Sequence, residues 1–232
     1  MKNFTTKFIA LAMAGTMAFG FAACSAKVTS TESSDEVVIG DNIVGGWQTA
    51  DSTLMTDDLR AIFEAAMSGQ VGVDYEPLAL LATQVVSGTN YCFLCKAAAV
   101  TPEATPKYTL VYIYQKLDGS AEILNVSDIL LPGMENADPN EMMVGGWSYT
   151  ESADVDEEVM NKATETMTGA SYEAIAFIGT QVVAGTNHAV LCKVTPTVPD
   201  ATSHISIVYI YENLDGVCEI TDTVDIGFDA QG

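Results

Sequence analysis

Few residues in this chain are of a type that does chemistry. There are five cysteines and two histidines. Cys92 and Cys95 spell C-x-x-C, a spacing used by zinc ligands and redox thiols. On a β-strand that spacing sends the two thiols to opposite faces. The pair therefore reads as buried free thiols rather than a zinc or redox site. Cys192 stands where Cys95 stands, at an offset of 97 residues (192 − 95). Cys92 and Cys218 have Ala189 and Ala121 as counterparts at the same offset. His188 and His204 are matched by Tyr91 and Lys107. A triad or metal site duplicated with its repeat would keep its histidine in both copies. No nucleophile elbow, phosphate loop or H-E-x-x-H occurs. These residues predict a protein that is not an enzyme, with no metal and no cofactor.

The fifth cysteine, Cys24, has a different context. Lys2 and Lys7 form a short basic region, and an apolar, Ala-rich run follows from Phe8 to Ala23. The run is short for a membrane span and has the shape of a secretory signal. It ends Phe21-Ala22-Ala23-Cys24, which resembles a bacterial lipobox. That reading makes 1–23 the signal peptide and Cys24 the lipidated N-terminus. Residues 24–43 then form a flexible tether rich in Ser, Thr and Glu. The chain is expected to cross the inner membrane and stay lipid-anchored at the cell envelope or cell surface. The alternative is an ordinary signal peptide with an incidental cysteine.

The formal net charge is −22. Losing Lys2 and Lys7 with the signal takes the mature part to −24. This excess of acid disfavours nucleic acid as a partner. It suits a soluble, envelope-exposed domain and leaves the oligomeric state open.

The elements that must position any site come twice. Thr83-Gln84-Val85-Val86-Ser87-Gly88-Thr89-Asn90 returns as Thr180-Gln181-Val182-Val183-Ala184-Gly185-Thr186-Asn187. Each copy puts two valines at a hairpin turn, where polar residues are usual. Paired exposed valines imply a surface that something else covers, although a turn kept only for the fold would read the same. The repeat divides the mature chain into 44–129 and 144–232, with a linker at 130–143. Both units open on Val-Gly-Gly-Trp, at Val44 and Val144. A helix is predicted after each. Leu59, Ile62, Phe63, Ala66 and Met67 make one apolar face, capped by Thr56 and stopped by Gly69. Val155, Val159, Ala163 and Met167 make the other, with Asp154 and Glu157 at capping-box spacing and Gly169 as stop. Four strands follow each helix. The last two are joined by Leu117-Asp118-Gly119 or Leu214-Asp215-Gly216, a strong hairpin signal. The expected class is α+β, with one helix covering one sheet face.

The order Gly-Gly, helix, strand, Gln-Val-Val-x-Gly-Thr-Asn, two strands, Leu-x-Gly resembles the cystatins, and within them the stefin branch. The resemblance covers each whole unit. It implies two tandem cystatin-like domains, each with one α-helix packed on a four-stranded antiparallel sheet. It also implies reversible, tight-binding inhibition of papain-like cysteine proteases without chemistry. Three segments of each unit would form a wedge that fills the protease cleft. In the first unit these are Gly45, Gly46, Gln84, Val85, Val86, Ser87, Gly88, Leu117, Asp118 and Gly119. In the second they are Gly145, Gly146, Gln181, Val182, Val183, Ala184, Gly185, Leu214, Asp215 and Gly216. The apolar residues before each glycine pair, Asn42-Ile43-Val44 and Met142-Met143-Val144, would add contact. Asp118 and Asp215 stand where the stefin turn carries Pro, which puts an acid at a cleft-facing tip. The alternative is a stefin-like surface binding or adhesion module that does not inhibit.

Overall fold

Thr56 opens the first helix, α1 (Asp57–Met67), by accepting the Leu59 amide on its hydroxyl at 3.3 Å. Asp57 and Asp58 lie in the first turn, where the helix dipole favours acids. The second helix, α2 (Glu157–Thr164), is capped by Asp156, whose carboxylate accepts the amides of Glu158 and Val159. The expected cap, Asp154, is held instead by the Ser152 hydroxyl at 2.7 Å. Asp156 caps by accepting backbone amides alone, since Val159, three residues on, is no capping-box partner. The helix ends at Thr164, one turn before Gly169.

The computed structural model describes residues 45–102, 104–135 and 145–230. The expected signal peptide, Cys24, the tether, Asn42 to Val44 and residues 136–144 of the linker region lie outside them. The described residues all fall in one compact unit.

The first repeat runs β1 (Trp47–Thr49), α1, β2 (Val73–Val86), β3 (Gly88–Ala99), β4 (Lys107–Gln115) and β5 (Ala121–Asp128). The second runs β6 (Trp147–Tyr149), α2, β7 (Ala170–Val183), β8 (Gly185–Pro196), β9 (His204–Glu212) and β10 (Cys218–Asp225). Each makes an antiparallel five-stranded sheet in chain order. The strand that the sequence pattern hides is the one after the glycine pair. Trp47 pairs with Gln84 and Thr49 with Ala82, and Trp147 pairs with Gln181 and Tyr149 with Gly179.

This overturns the expected fold class. Among the described residues the protein is mostly β, with two five-stranded sheets and two short helices. It is not a pair of cystatin-like α+β domains with four-stranded sheets. The reason lies in where the apolar side chains point. Strands buried on both faces need cover on both. Phe93, Cys95, Val111 and Ile113 pack under Phe63 and Ala66 of α1. Val190, Cys192, Val208 and Ile210 pack under Val159, Met160 and Ala163 of α2. The opposite faces, with Leu81, Cys92, Leu94, Tyr108, Leu110 and Tyr112 from one sheet and Ile178, Leu191, Ile205, Ile207 and Tyr209 from the other, form one central core. One helix cannot cover two faces, so each sheet covers the other. The order of layers is helix, sheet, sheet, helix. Cys92 faces the central core and Cys95 faces α1, as strand periodicity requires.

The sheets are not flat. Register shifts fall between Pro77 and Ala79 and between Leu80 and Ala82, and again between Ala174 and Ala176 and between Phe177 and Gly179. Bulges reset side-chain alternation. So Leu80 packs under α1 whereas both Leu78 and its neighbour Leu81 pack toward the central core.

Two contacts fix how the sheets lie across one another. Trp47, in register with Gln84 near the β2–β3 tip, packs on Phe228, which follows the end of β10. That end is remote from the β7–β8 tip, because Asp225 pairs with Ser206, which pairs with Cys192. In the reciprocal place Leu131, beyond the end of β5, fills the space over Gly179. Each hairpin tip thus lies toward the tail end of the other sheet, and the two tips point to opposite ends of the sandwich. Two lysines tie the halves. Lys193 donates to the carbonyls of Ala50 (2.9 Å) and Asp51 (2.6 Å). Its counterpart Lys96 donates to the carbonyl of Glu151.

Candidate functional site

The three predicted segments of each repeat meet at one end of its sheet. Pairing puts Gln84 opposite both Trp47 and Asn90, and Thr89 opposite Gln115. The start of β1, the β2–β3 tip and the β4–β5 turn therefore sit side by side. In the second repeat, Gln181 lies opposite Trp147 and Asn187, and Thr186 opposite Glu212.

The apolar tips are open. Val85 is 68% exposed and Val182 is 72% exposed; Leu117 and Leu214 reach 84% and 85%. Val86 and Val183 are exposed as well. None of the four valines belongs to a core cluster. Ser87, Asp118 and Gly119 are exposed, as are Ala184 and Asp215.

The glutamines do not project with the valines. Asn90 donates to Gln84 Oε1 at 2.7 Å, and Gln84 Nε2 donates to the Gly45 carbonyl at 2.7 Å. Asn187 donates to Gln181 Oε1 at 2.7 Å, and Gln181 Nε2 donates to the Gly145 carbonyl at 2.9 Å. Gln84 and Gln181 thus bind the glycine segment to the hairpin. Gly45 and Gly145 take left-handed backbone with φ of 92° and 78°, which turns that carbonyl toward the glutamine. Gly46 and Gly146 are half-buried beside them.

A second brace fixes the tip to the neighbouring turn. The Tyr114 hydroxyl donates to the Ser87 carbonyl at 2.5 Å, and Tyr211 to the Ala184 carbonyl at 2.6 Å. Gly88 and Gly185 lie under these tyrosines with φ of 130° and 128°. A Cβ on Gly88 would sit 2.3 Å from the Gln115 carbonyl oxygen, and one on Gly185 would sit 2.4 Å from that of Glu212. Both glycines serve the closeness of the three strands rather than the exposed face.

The acid in the second turn is occupied. Asp118 Oδ1 accepts from the Ser120 amide at 2.9 Å and the Ser120 hydroxyl at 2.6 Å. The Ser120 hydrogen bonds hold the Asp118 carboxyl below its ordinary range. In the second repeat Asn213 does this work, accepting from the amides of Asp215 and Val217. Gly119 and Gly216 close these turns with positive φ.

The histidine in the motif is part of the support. His188 Nε2 lies 3.1 Å from Glu212 Oε2, where the first repeat has Tyr91 donating to Gln115 at 3.2 Å. The four thiols at positions 92, 95, 192 and 218 are free and buried. Burial pushes the Cys192 thiol up to about 12 and raises those of Cys92, Cys95 and Cys218.

Four bracing residues were missed at sequence level: Asn90, Asn187, Tyr114 and Tyr211. A signal for the first two was present. Gln84 and Asn90 are spaced equally about the turn, which makes them cross-strand partners, and both recur in the second copy. The first edge also borders a groove of about 450 Å³ lined by Trp47, Val86, Tyr114, Leu124, Asp229 and Ala230 among others. The C-terminal tail of the second repeat thus reaches the edge of the first. No family model matches this chain, and no curated protein matches it.

Proposed function

We propose that this protein is a reversible, tight-binding inhibitor of papain-like cysteine proteases, held at the cell envelope by a lipid on Cys24. The observation that carries the reading is the doubled edge. In each repeat two exposed valines, an exposed leucine and a left-handed glycine segment stand in one row, braced from behind. The resemblance of the loop to the cystatins names the partner class.

Inhibition of this kind needs no reaction. A row of apolar tips enters the active-site cleft and excludes substrate. Burying one valine contributes about 1.5–3 kcal/mol. The braces matter because a surface already in its bound shape loses little conformational entropy on association. At Gly45 and Gly46 the absence of side chains lets backbone pass close to the nucleophilic thiol of the protease. Asp118 adds negative charge near the turn, but its carboxylate is turned back onto Ser120, which leaves Leu117 as the projecting group.

The test is a titration of the soluble chain against papain while peptide hydrolysis is followed. Stoichiometric loss of hydrolysis at submicromolar protein is expected. Full hydrolysis at micromolar protein would overturn the reading; binding without loss of hydrolysis would favour a non-inhibitory surface module. Anchoring is tested separately, by fatty-acid labelling of the full-length chain and of Cys24→Ala, which should take up none.

A further inference from the structure

We propose that the chain is bivalent and holds two partner molecules at once, one on each end of the sandwich. The proposal rests on the wedge reading above and adds how many partners are bound, and where.

Four observations lead to it. The Trp47–Phe228 and Leu131–Gly179 contacts place each hairpin tip toward the tail end of the other sheet. The tips are therefore separated by roughly the length of one strand. A 14-residue strand such as β2 spans about 45 Å at ~3.3 Å per residue. Both edges are complete, since each has its own valine pair, leucine turn, glutamine clamp and tyrosine brace. The shared core and the ties from Lys96 and Lys193 make the halves one body, so one edge does not swing round to the other.

Sterics then set the stoichiometry. A globular partner of about 220 residues has a radius of gyration of about 17 Å and a diameter near 45 Å. Two such bodies seated on edges that face away from each other do not collide. A single one cannot reach both edges, so there is no gain from chelation of one partner, which requires simultaneous engagement. Each edge binds on its own account.

The experiment uses the full mature chain with papain as probe, by light scattering coupled to size exclusion and by calorimetry. Two papain molecules per chain are expected. The double variants Val85→Asp/Val86→Asp and Val182→Asp/Val183→Asp alter exposed side chains and should keep the wild-type urea midpoint. Each should leave one papain per chain, with its own edge weakened by about 100-fold or more and the other unchanged. Combining all four should abolish binding. A wild-type stoichiometry of one would overturn bivalency while leaving the wedge reading in place. The same holds if each edge binds alone but the two exclude each other. Absence of any binding would remove the wedge reading and bivalency together.

Discussion

Asn90 and Gln84 face each other across the first hairpin and share a hydrogen bond of 2.7 Å, and Asn187 and Gln181 repeat it. Gln84 spends its amide on the Gly45 carbonyl, so the residue that opens the loop motif joins two separate stretches of chain. Asn90 is buried and Gln84 is half-buried. A pair like this acts through the backbone that it holds.

Asn90→Ala should therefore loosen the glycine segment without unfolding the sheet. The acceptor left without its donor, Gln84 Oε1, is only half-buried, so the cost lies at the low end of about 1–3 kcal/mol. Faster amide exchange is expected at 45–48, with little change at 92–95. Affinity for papain should fall about tenfold. Unchanged exchange at 45–48 would show that Gln84 holds Gly45 without help.

Gly88→Ala should be far more damaging than its size suggests. The new methyl would lie 2.3 Å from the Gln115 carbonyl oxygen, in backbone already at a φ of 130°. A loss of about 2–4 kcal/mol in urea unfolding is expected, from strain plus steric displacement. Gly185→Ala should behave alike, and Gly119→Ala, with open space around it, should cost less.

Lys193→Met tests the tie between the halves. It removes a charged donor from the carbonyls of Ala50 and Asp51. Hydrogen bonds to charged groups are worth about 1.5–3 kcal/mol each in stability, and part exposure of Lys193 reduces this. A loss of about 2 kcal/mol is expected in urea. Unfolding should remain a single transition, because the central core belongs to both sheets.

Alkaline pH should destabilise the protein. Burial raises the Cys192 thiol from 9.0 to about 12, and raises the Tyr149 phenol from 10.0 to about 12. A folded pKa above the unfolded one means that the unfolded chain loses its proton first. The stability from these groups is complete below about pH 9 and falls as pH rises toward 12. The urea midpoint should drop between pH 8.5 and 10.5, and Cys192→Ala should flatten that slope. In the native state at pH 8 a thiol reagent should find the four cysteines at positions 92, 95, 192 and 218 unreactive.

Much of the local structure was legible. The Thr56 cap, the stripe from Leu59 to Met67 and the Asp-Gly turn follow from short-range rules that the structure obeys. The edge segments were legible because they occur twice at one offset. What the sequence hid was pairing at a distance. β1 is three residues long and carries no alternation that marks a strand. The shared core was hidden for another reason. Leu94 and Phe93 are both fully buried, and a run of apolar residues does not say whether the second face meets a helix, a sheet or a partner. Composition alone left room for two small domains where the chain makes one.

Gly179 carries a consequence for how far the two halves can be interchanged. The linker's Leu131 lies where a Gly179 side chain would be, with its Cδ1 2.2 Å from the missing Cβ. The residue at the same place in the first repeat is Ala82. The two halves are therefore not spare parts for each other. A second copy of the first repeat placed after this linker would bring a methyl group into the space that Leu131 occupies. Each half is thus fitted to its own place in the chain, and an alanine at 179 would require the Leu131 side chain to shift.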